Sequence, residues 1–286
     1  MARQLRREDY TVGWVCALPV ELAAAQEMLD EEHDMPPSST HDTNIYTCGR
    51  VGKHNVVIAC LPEGQMGTHS AAAVAVKDAD IRLGDVVVSK PHQVHGGVVQ
   101  YDSGKVTPSG FERTGWLDAP PPVLLHAVTN LKASHMRGKY RLSEYLSKLD
   151  SLPGFTREAA GYSLCRDHCD KSHLADREPR EQEVLVHYGT IASGNQVIRN
   201  AAERDRISAE LGGVLCFEME AAGLMNSFPY LVIRGISDYA DSHKSKRWQP
   251  YAAATAAACA QAMLSVIPTT EVEEIVHVLT TLLRML

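Results

Sequence analysis

The sequence predicts an α/β protein whose strands are covered on both faces. Three observations predict it. Short apolar runs alternate with segments of helical period along much of the chain. The runs are apolar at nearly every position rather than at every second one, the pattern of strands buried on both sides of a sheet. The most hydrophobic runs end in acids, as in "LCFEMEAAG" (215–223) and "RGISDYAD" (234–241), and in open α/β sheets ligands gather where strands end.

Taken in order, "TVGWVCAL" (11–18) reads as a strand and "PVELAAAQEMLDEE" (19–32) as a helix with Pro19 in its first turn. "YTCGRVGKHNVVIACL" (46–61) is two strands around a glycine-containing turn, and "GTHSAAAVAV" (67–76) a helix of small residues. "GDVVVSK" (84–90) and "GGVVQYD" (96–102) are strand-like. From about 103 to 180 the pattern weakens, with helical segments at 119–136 and 141–149 and an exposed loop at 164–183. Regularity returns with a strand at 184–193, a helix at 196–211, a strand at 213–217, a helix at 219–227, a strand at 229–237 and a long helix at 249–267. The tail 269–286 has apolar residues along one helical face and glutamates near its start, which suits a terminal amphipathic helix or a contact with a partner or downstream domain.

Composition narrows the function. A net charge of −7 argues against a general nucleic-acid or anionic-membrane surface. Seven scattered cysteines, several inside apolar runs, do not form a disulfide framework and point to a reducing compartment, the cytoplasm or nucleus. The opening "MARQLRREDY" lacks an apolar core, so no signal peptide is expected. "CRDHCDKSH" (165–173) has no matching second ligand pair and reads as a polar loop rather than a zinc site. "GQMGTHS" (64–70) opens a helix but lacks the P-loop lysine. "HKSKRWQP" (243–250) is basic; it suits a solvated loop or closure over a substrate phosphate.

Three acid positions stand at strand ends: Glu21, the pair Glu218/Glu220, and Asp238. Each has a structural reason to be there, since acids favour the first turn of a helix and "SD" is common capping chemistry. Together they also suit cleavage of a glycosidic bond. One carboxyl protonates the leaving group, another activates water, and a third accepts hydrogen bonds from sugar hydroxyls, with no metal or cofactor required.

"GTIASGNQVI", "CFEMEAAGLM", "LVIRGISDYAD" and "GDVVVS" resemble the purine nucleoside phosphorylase / nucleosidase superfamily over residues 8–268. The match is to its fungal branch, related to methylthioadenosine/S-adenosylhomocysteine nucleosidases. The resemblance implies a three-layer α/β/α sandwich around a central mixed twisted sheet, with one domain over 1–268. It implies a purine nucleoside or nucleotide as ligand and members that assemble as oligomers. Asp238 would protonate the purine, oriented by Ser237. Glu220 would bind ribose hydroxyls, with Met219 against the sugar. Phe217 and Glu218 belong to the same motif, Val197 and Ile198 line the base pocket, and Gly67 borders the nucleophile pocket. Glu21 stands where phosphorylases carry an arginine, which favours hydrolysis over phosphorolysis. One departure is plain: "AAAVAVKDADIRLGDVVV" leaves no room for the family's central strand and glycine-rich loop near Lys77. An inactive purine-binding module is the reading this loss favours.

Overall fold

The computed structural model describes residues 3–35, 45–61, 72–73, 80–139, 141–161 and 177–271. The chain divides into two compact units, residues 1–68, 121–151 and 257–286 in the first and 69–120 and 152–256 in the second. Their strands and helices give the α/β class expected, with mixed sheets. No described helix is long and apolar enough to cross a membrane.

In the first unit, β1 (Arg3–Gln4), β2 (Val12–Cys16), β3 (Glu31–Asp34), β4 (Ile45–Val51) and β5 (His54–Cys60) form a sheet in the order β1-β3-β4-β5-β2. β4 and β5 are the expected hairpin, and Gly52 takes φ +58 in its turn, a conformation open to a residue without Cβ. β2 lies parallel to β5, and α1 (Pro19–Glu27) packs Ala25 and Leu22 onto Cys16, Val56 and Ile58. α1 stops at Glu27 instead of running to 32. The continuation becomes β3, where Glu31 pairs across the strands with Arg50 at 3.2 Å and the buried His33 meets Tyr10 Oη at 3.1 Å. Those cross-strand partners outweigh helix propensity. α2 (Pro122–Met136) and α3 (Leu142–Leu146) fall where helices were expected. The terminal segment is helical at 269–271; its remainder lies outside the described residues.

The second unit carries β6 (Ala72–Ala73), β7 (Val86–Ser89), β8 (Val98–Gln100), β9 (Gly104–Thr107), β10 (Gly110–Arg113), α4 (Arg157–Ala160), β11 (Val186–Gly189), β12 (Ile191–Ser193), α5 (Ala201–Glu210), β13 (Cys216–Glu218), β14 (Ile233–Gly235) and the start of α6 (Gln249–Ser265). One sheet runs β11-β7-β14, another β6-β13-β12-β8, and β9-β10 stands as a separate hairpin. Its residues are mostly exposed, so it lacks the apolar signal that would have marked it in the sequence.

Four expectations are corrected. The single strand at 184–193 breaks at Thr190, because β11 pairs with β7 while β12 joins β8 and β13 in the other sheet. The helix expected from 196 begins at Ala201, where Asn200 Oδ1 caps the N–H groups of Ala202 (3.0 Å) and Glu203 (3.4 Å). The helix expected at 219–227 is a single 3-10 turn, Ala221–Gly223. Within the helix expected at 67–76, Ala72–Ala73 is instead a strand antiparallel to β13; the rest lies outside the described residues. α6 comes close to β14: a Cβ on Gly235 would run into the backbone carbonyl oxygen of Ala252, so only glycine fits there.

At the head of β7, Asp85 is fully buried. Its Oδ1 accepts from Arg180 Nη2 (2.5 Å) and the Leu185 N–H (3.0 Å). Its Oδ2 accepts from Arg180 Nη1 (2.9 Å), His187 Nε2 (3.0 Å) and the Arg82 N–H (2.8 Å). Burial alone would raise its pKa, but the hydrogen bonds from His187, Arg180 and the two backbone amides hold the carboxyl below its ordinary range. A depressed folded pKa contributes stability that is complete above the unfolded value, about 4, and is lost as pH falls through the folded one. Denaturation of the wild type should therefore become easier on acidification below that window. Asp85→Asn should cost about 3–5 kcal/mol at neutral pH, as expected when one member of a buried ion pair is removed. Its urea midpoint should also show a shallower acid limb.

Candidate active site

β12 and β13 lie side by side with Ser193 opposite Glu218, so two polar side chains emerge together at the end of the sheet. Both are buried, and both turn onto the backbone that follows β13. Glu218 Oε2 accepts the N–H groups of Glu220 (3.0 Å) and Ala221 (2.8 Å), and Ser193 Oγ accepts that of Ala222 (2.9 Å). Donors of a turn start are thereby satisfied by side chains, and the backbone of "EMEAAG" is fixed as a tight turn. Glu218 Oε1 is buried with no hydrogen-bond partner among the described residues, an acceptor with capacity to spare.

Glu220 is also buried; its Oε2 lies 3.4 Å from Arg234 Nη1 and 3.3 Å from the Met219 N–H. Arg234 comes from β14, where it interrupts an otherwise apolar strand. An ion pair this dry is tolerated only with good geometry and further hydrogen bonds. Met219 itself is half-buried.

Asp238 follows β14 and is buried beside Ser237. Its Oδ1 accepts the Ala240 N–H (3.0 Å), closing a short turn in which Ala240 takes φ +51. Its Oδ2 accepts from Lys244 Nζ (2.8 Å) and lies 3.4 Å from Ser237 Oγ. The next residue is held from two sides: Arg204 of α5 donates to the Tyr239 carbonyl (2.8 Å), and the Arg177 guanidinium lies 5.4 Å over the Tyr239 ring. Ala240 joins Phe217, Ile198, Ala192 and Tyr101 in one apolar cluster, with Tyr101 edge-on to Phe217 at 5.6 Å. Burial pushes the Tyr101 phenol up to about 12, and it donates as a neutral group to the Gln196 carbonyl (3.0 Å).

The second unit thus brings Phe217 and Ile198 into one cluster, with Ala240 from the Asp238 turn, and sets Glu218, Met219 and Glu220 on one turn. Val197 is half-buried next to Ile198 in the chain. Glu21 belongs to the first unit, at the third position of α1, where Oε2 accepts the N–H groups of Ala17 (2.8 Å) and Leu18 (3.2 Å). Gly67 and the segment 165–173 lie outside the described residues, and among the described residues no cluster of acids, histidines and cysteines could hold a metal ion. Sequence reasoning assigned nothing to Arg234 or Ser193, and it met Lys244 only as part of the basic stretch 243–250, without its partner Asp238. A lone arginine inside an apolar strand was the available signal for the first, since such a charge demands a buried partner.

A family model described as the phosphorylase superfamily matches residues 76–267. Among curated proteins, a nucleotide-binding leucine-rich repeat (NLR)-like protein of Hyaloscypha variabilis is 43% identical over 92% of this chain, which spans only 30% of that protein's length. A 5'-methylthioadenosine/S-adenosylhomocysteine nucleosidase of Mycobacterium bovis is 26% identical, with 90% of this chain and 97% of that protein covered. An ATP nucleosidase of Escherichia coli is 26% identical over 84% of this chain and 48% of its own length. Among solved structures, that of a 5'-methylthioadenosine/S-adenosylhomocysteine nucleosidase from S. pneumoniae superposes with a TM-score of 0.55 at 19% identity. It covers 88% of this chain and 97% of its own, a likeness of fold.

The Glu220–Arg234 pair generates a prediction of its own. Arg234→Met should destabilise by about 3–5 kcal/mol, because it leaves a buried carboxylate without its cation. Adding Glu220→Gln should restore part of that loss. A double-mutant cycle read by urea denaturation measures the coupling; additive losses would mean that the two charges do not interact.

Proposed function

Because the chain belongs to the phosphorylase superfamily, we propose that it cleaves the N-glycosidic bond of a purine nucleoside or nucleotide with water. The products are the free base and ribose or its phosphate. The observation that carries this reading is the pair of buried acids that follow two strands of one unit, β13 and β14: Glu220, charge-paired with Arg234, and Asp238, fixed by its own turn. The names of the nucleosidase relatives agree with it.

In the proposed reaction Asp238 hands a proton to a purine ring nitrogen, with Ser237 helping to orient it. The bond from C1′ to the base then breaks with its electron pair going to the base, leaving a cationic sugar. Glu220 accepts hydrogen bonds from the ribose hydroxyls. Its neighbour Met219 packs against the sugar, and the Glu218 and Ser193 bonds hold the turn so that no reorganisation is needed at that moment. Phe217, Val197 and Ile198 contribute the apolar wall for the base. Water attacks C1′ and loses its proton to a general base, the role that the family resemblance gives Glu21. A carboxylate at position 21 would repel phosphate, which sets hydrolysis ahead of phosphorolysis.

A second reading, a purine-binding module without turnover, is favoured by the NLR-like relative, of which this chain spans only a part. Purine release from adenosine, AMP, ATP and methylthioadenosine, followed chromatographically beside calorimetric binding, separates the two. Hydrolysis predicts product without added phosphate and a rate about 10²–10⁴-fold lower in Asp238→Asn, the usual worth of a general acid. A strict phosphate requirement would establish phosphorolysis, and binding without product would leave the module.

A further inference from the structure

The proposed acid is not at rest in the state its chemistry requires. Asp238 Oδ2 receives the Lys244 ammonium at 2.8 Å, and Oδ1 receives the Ala240 N–H. Both oxygens act as acceptors, and the ammonium against Oδ2 opposes the proton which that oxygen would have to carry toward a base. Drawing Lys244 away removes that opposition.

Lys244 sits in the most basic short stretch of this part of the chain, His243-Lys244-Ser245-Lys246-Arg247, in a protein whose net charge is −7. His243, Lys246 and Arg247 are exposed, whereas the Lys244 side chain is only 12% exposed, turned inward onto Asp238. The stretch is tied down on either side of it. Asp241 accepts the His243 N–H (2.8 Å) and pairs with its ring (3.2 Å), while Ser245 Oγ accepts the Arg247 N–H (3.4 Å). With the backbone held, the free movement left to Lys244 is rotation of its four-carbon stem, which carries a point charge well suited to phosphate.

Resting on the reading of Asp238 as the acid, we propose that Lys244 recognises a phosphate group at this site, exchanging Asp238 for the phosphate and so releasing the acid only when a phosphorylated ligand is present. Lys244 stays protonated throughout. Asp238, once released, takes its proton from solvent and passes it to the purine. The preferred substrate class is therefore the purine nucleotide rather than the nucleoside. The same ammonium could be drawn off by free phosphate, and the two sources are distinguished by experiment.

Purine release and calorimetric affinity are measured for AMP and for adenosine, the latter with and without inorganic phosphate, in the wild type, Lys244→Met and Lys244→Arg. The wild type should prefer AMP over adenosine by about 10–100-fold, the worth of one charge-assisted hydrogen bond. Lys244→Met should bring that ratio close to one, and Lys244→Arg, which keeps the charge, should retain most of it. Adenosine cleavage stimulated by inorganic phosphate in the wild type and not in Lys244→Met would assign the group to the free ion. A ratio unchanged in Lys244→Met, or a wild type that neither prefers AMP nor is stimulated on adenosine by inorganic phosphate, overturns the proposal. Should no substrate be turned over, the hydrolytic reading falls while the affinity ratios still decide the role of Lys244; absence of binding by either ligand ends both.

Discussion

A single buried carboxylate organises the second unit. Asp85 collects five donors from three separate places in the chain: the Arg82 backbone, the 180–185 segment and His187 of β11. Its main chain works as hard as its side chain. The Asp85 carbonyl accepts the Ile236 N–H at 2.8 Å, and the Ile236 carbonyl accepts that of Gly84 at 2.8 Å. Since Ile236 precedes Ser237 and Asp238, the residue that locks β7 to β11 also sets where the proposed acid begins. Asp80 adds to this by pairing with Arg177 at 2.9 Å, the arginine that lies over Tyr239. Such a charge is acceptable in the interior only when every lone pair is occupied, and here both oxygens are.

The acids at the strand tips raise a sharper question, because each has a local structural task. Glu21 caps α1, Glu218 caps the turn after β13, Glu220 neutralises Arg234, and Asp238 closes the turn at Ala240. Structural duty does not compete with catalytic use. A carboxylate locked by backbone donors loses little freedom when substrate arrives, which is what a preorganised site needs. The more telling distinction is what remains available. Glu218 keeps one buried oxygen without a hydrogen-bond partner among the described residues, whereas both Asp238 oxygens are engaged, one of them by a lysine that can leave.

Much of the fold was legible in the sequence because it rests on strong, local patterns. The β4–β5 hairpin, the valine run of β7 and the alanine-rich α6 each announce their burial through composition alone. What escaped was decided by partners distant in sequence. Nothing local in "VLVHYGTIAS" says that its two halves belong to different sheets, and nothing in "LDEEHD" says that Arg50 and Tyr10 will draw it into a strand. The site followed the same rule. The motifs carrying Glu220 and Asp238 were visible through a family resemblance, while their pairing with the cations Arg234 and Lys244 emerged only from the folded chain.

The departure expected near Lys77, the want of a glycine-rich segment, would bear unequally on the two halves of the proposed chemistry. Glu220 and Asp238 depend on β12, β13, β14 and β7, all within the second unit and all paired without that segment. Among the described strands β14 ends its sheet, and the outer edge of β13 is taken by the two residues of β6. The groups proposed to hold base and ribose therefore keep their supports: the Asp85 carbonyl bonded to Ile236 ahead of Asp238, and Arg234 against Glu220. The proposed nucleophile side draws on other parts of the chain: Glu21 belongs to the first unit, and Gly67 lies outside the described residues. A chain without such a segment would thus lose water activation before it lost purine binding.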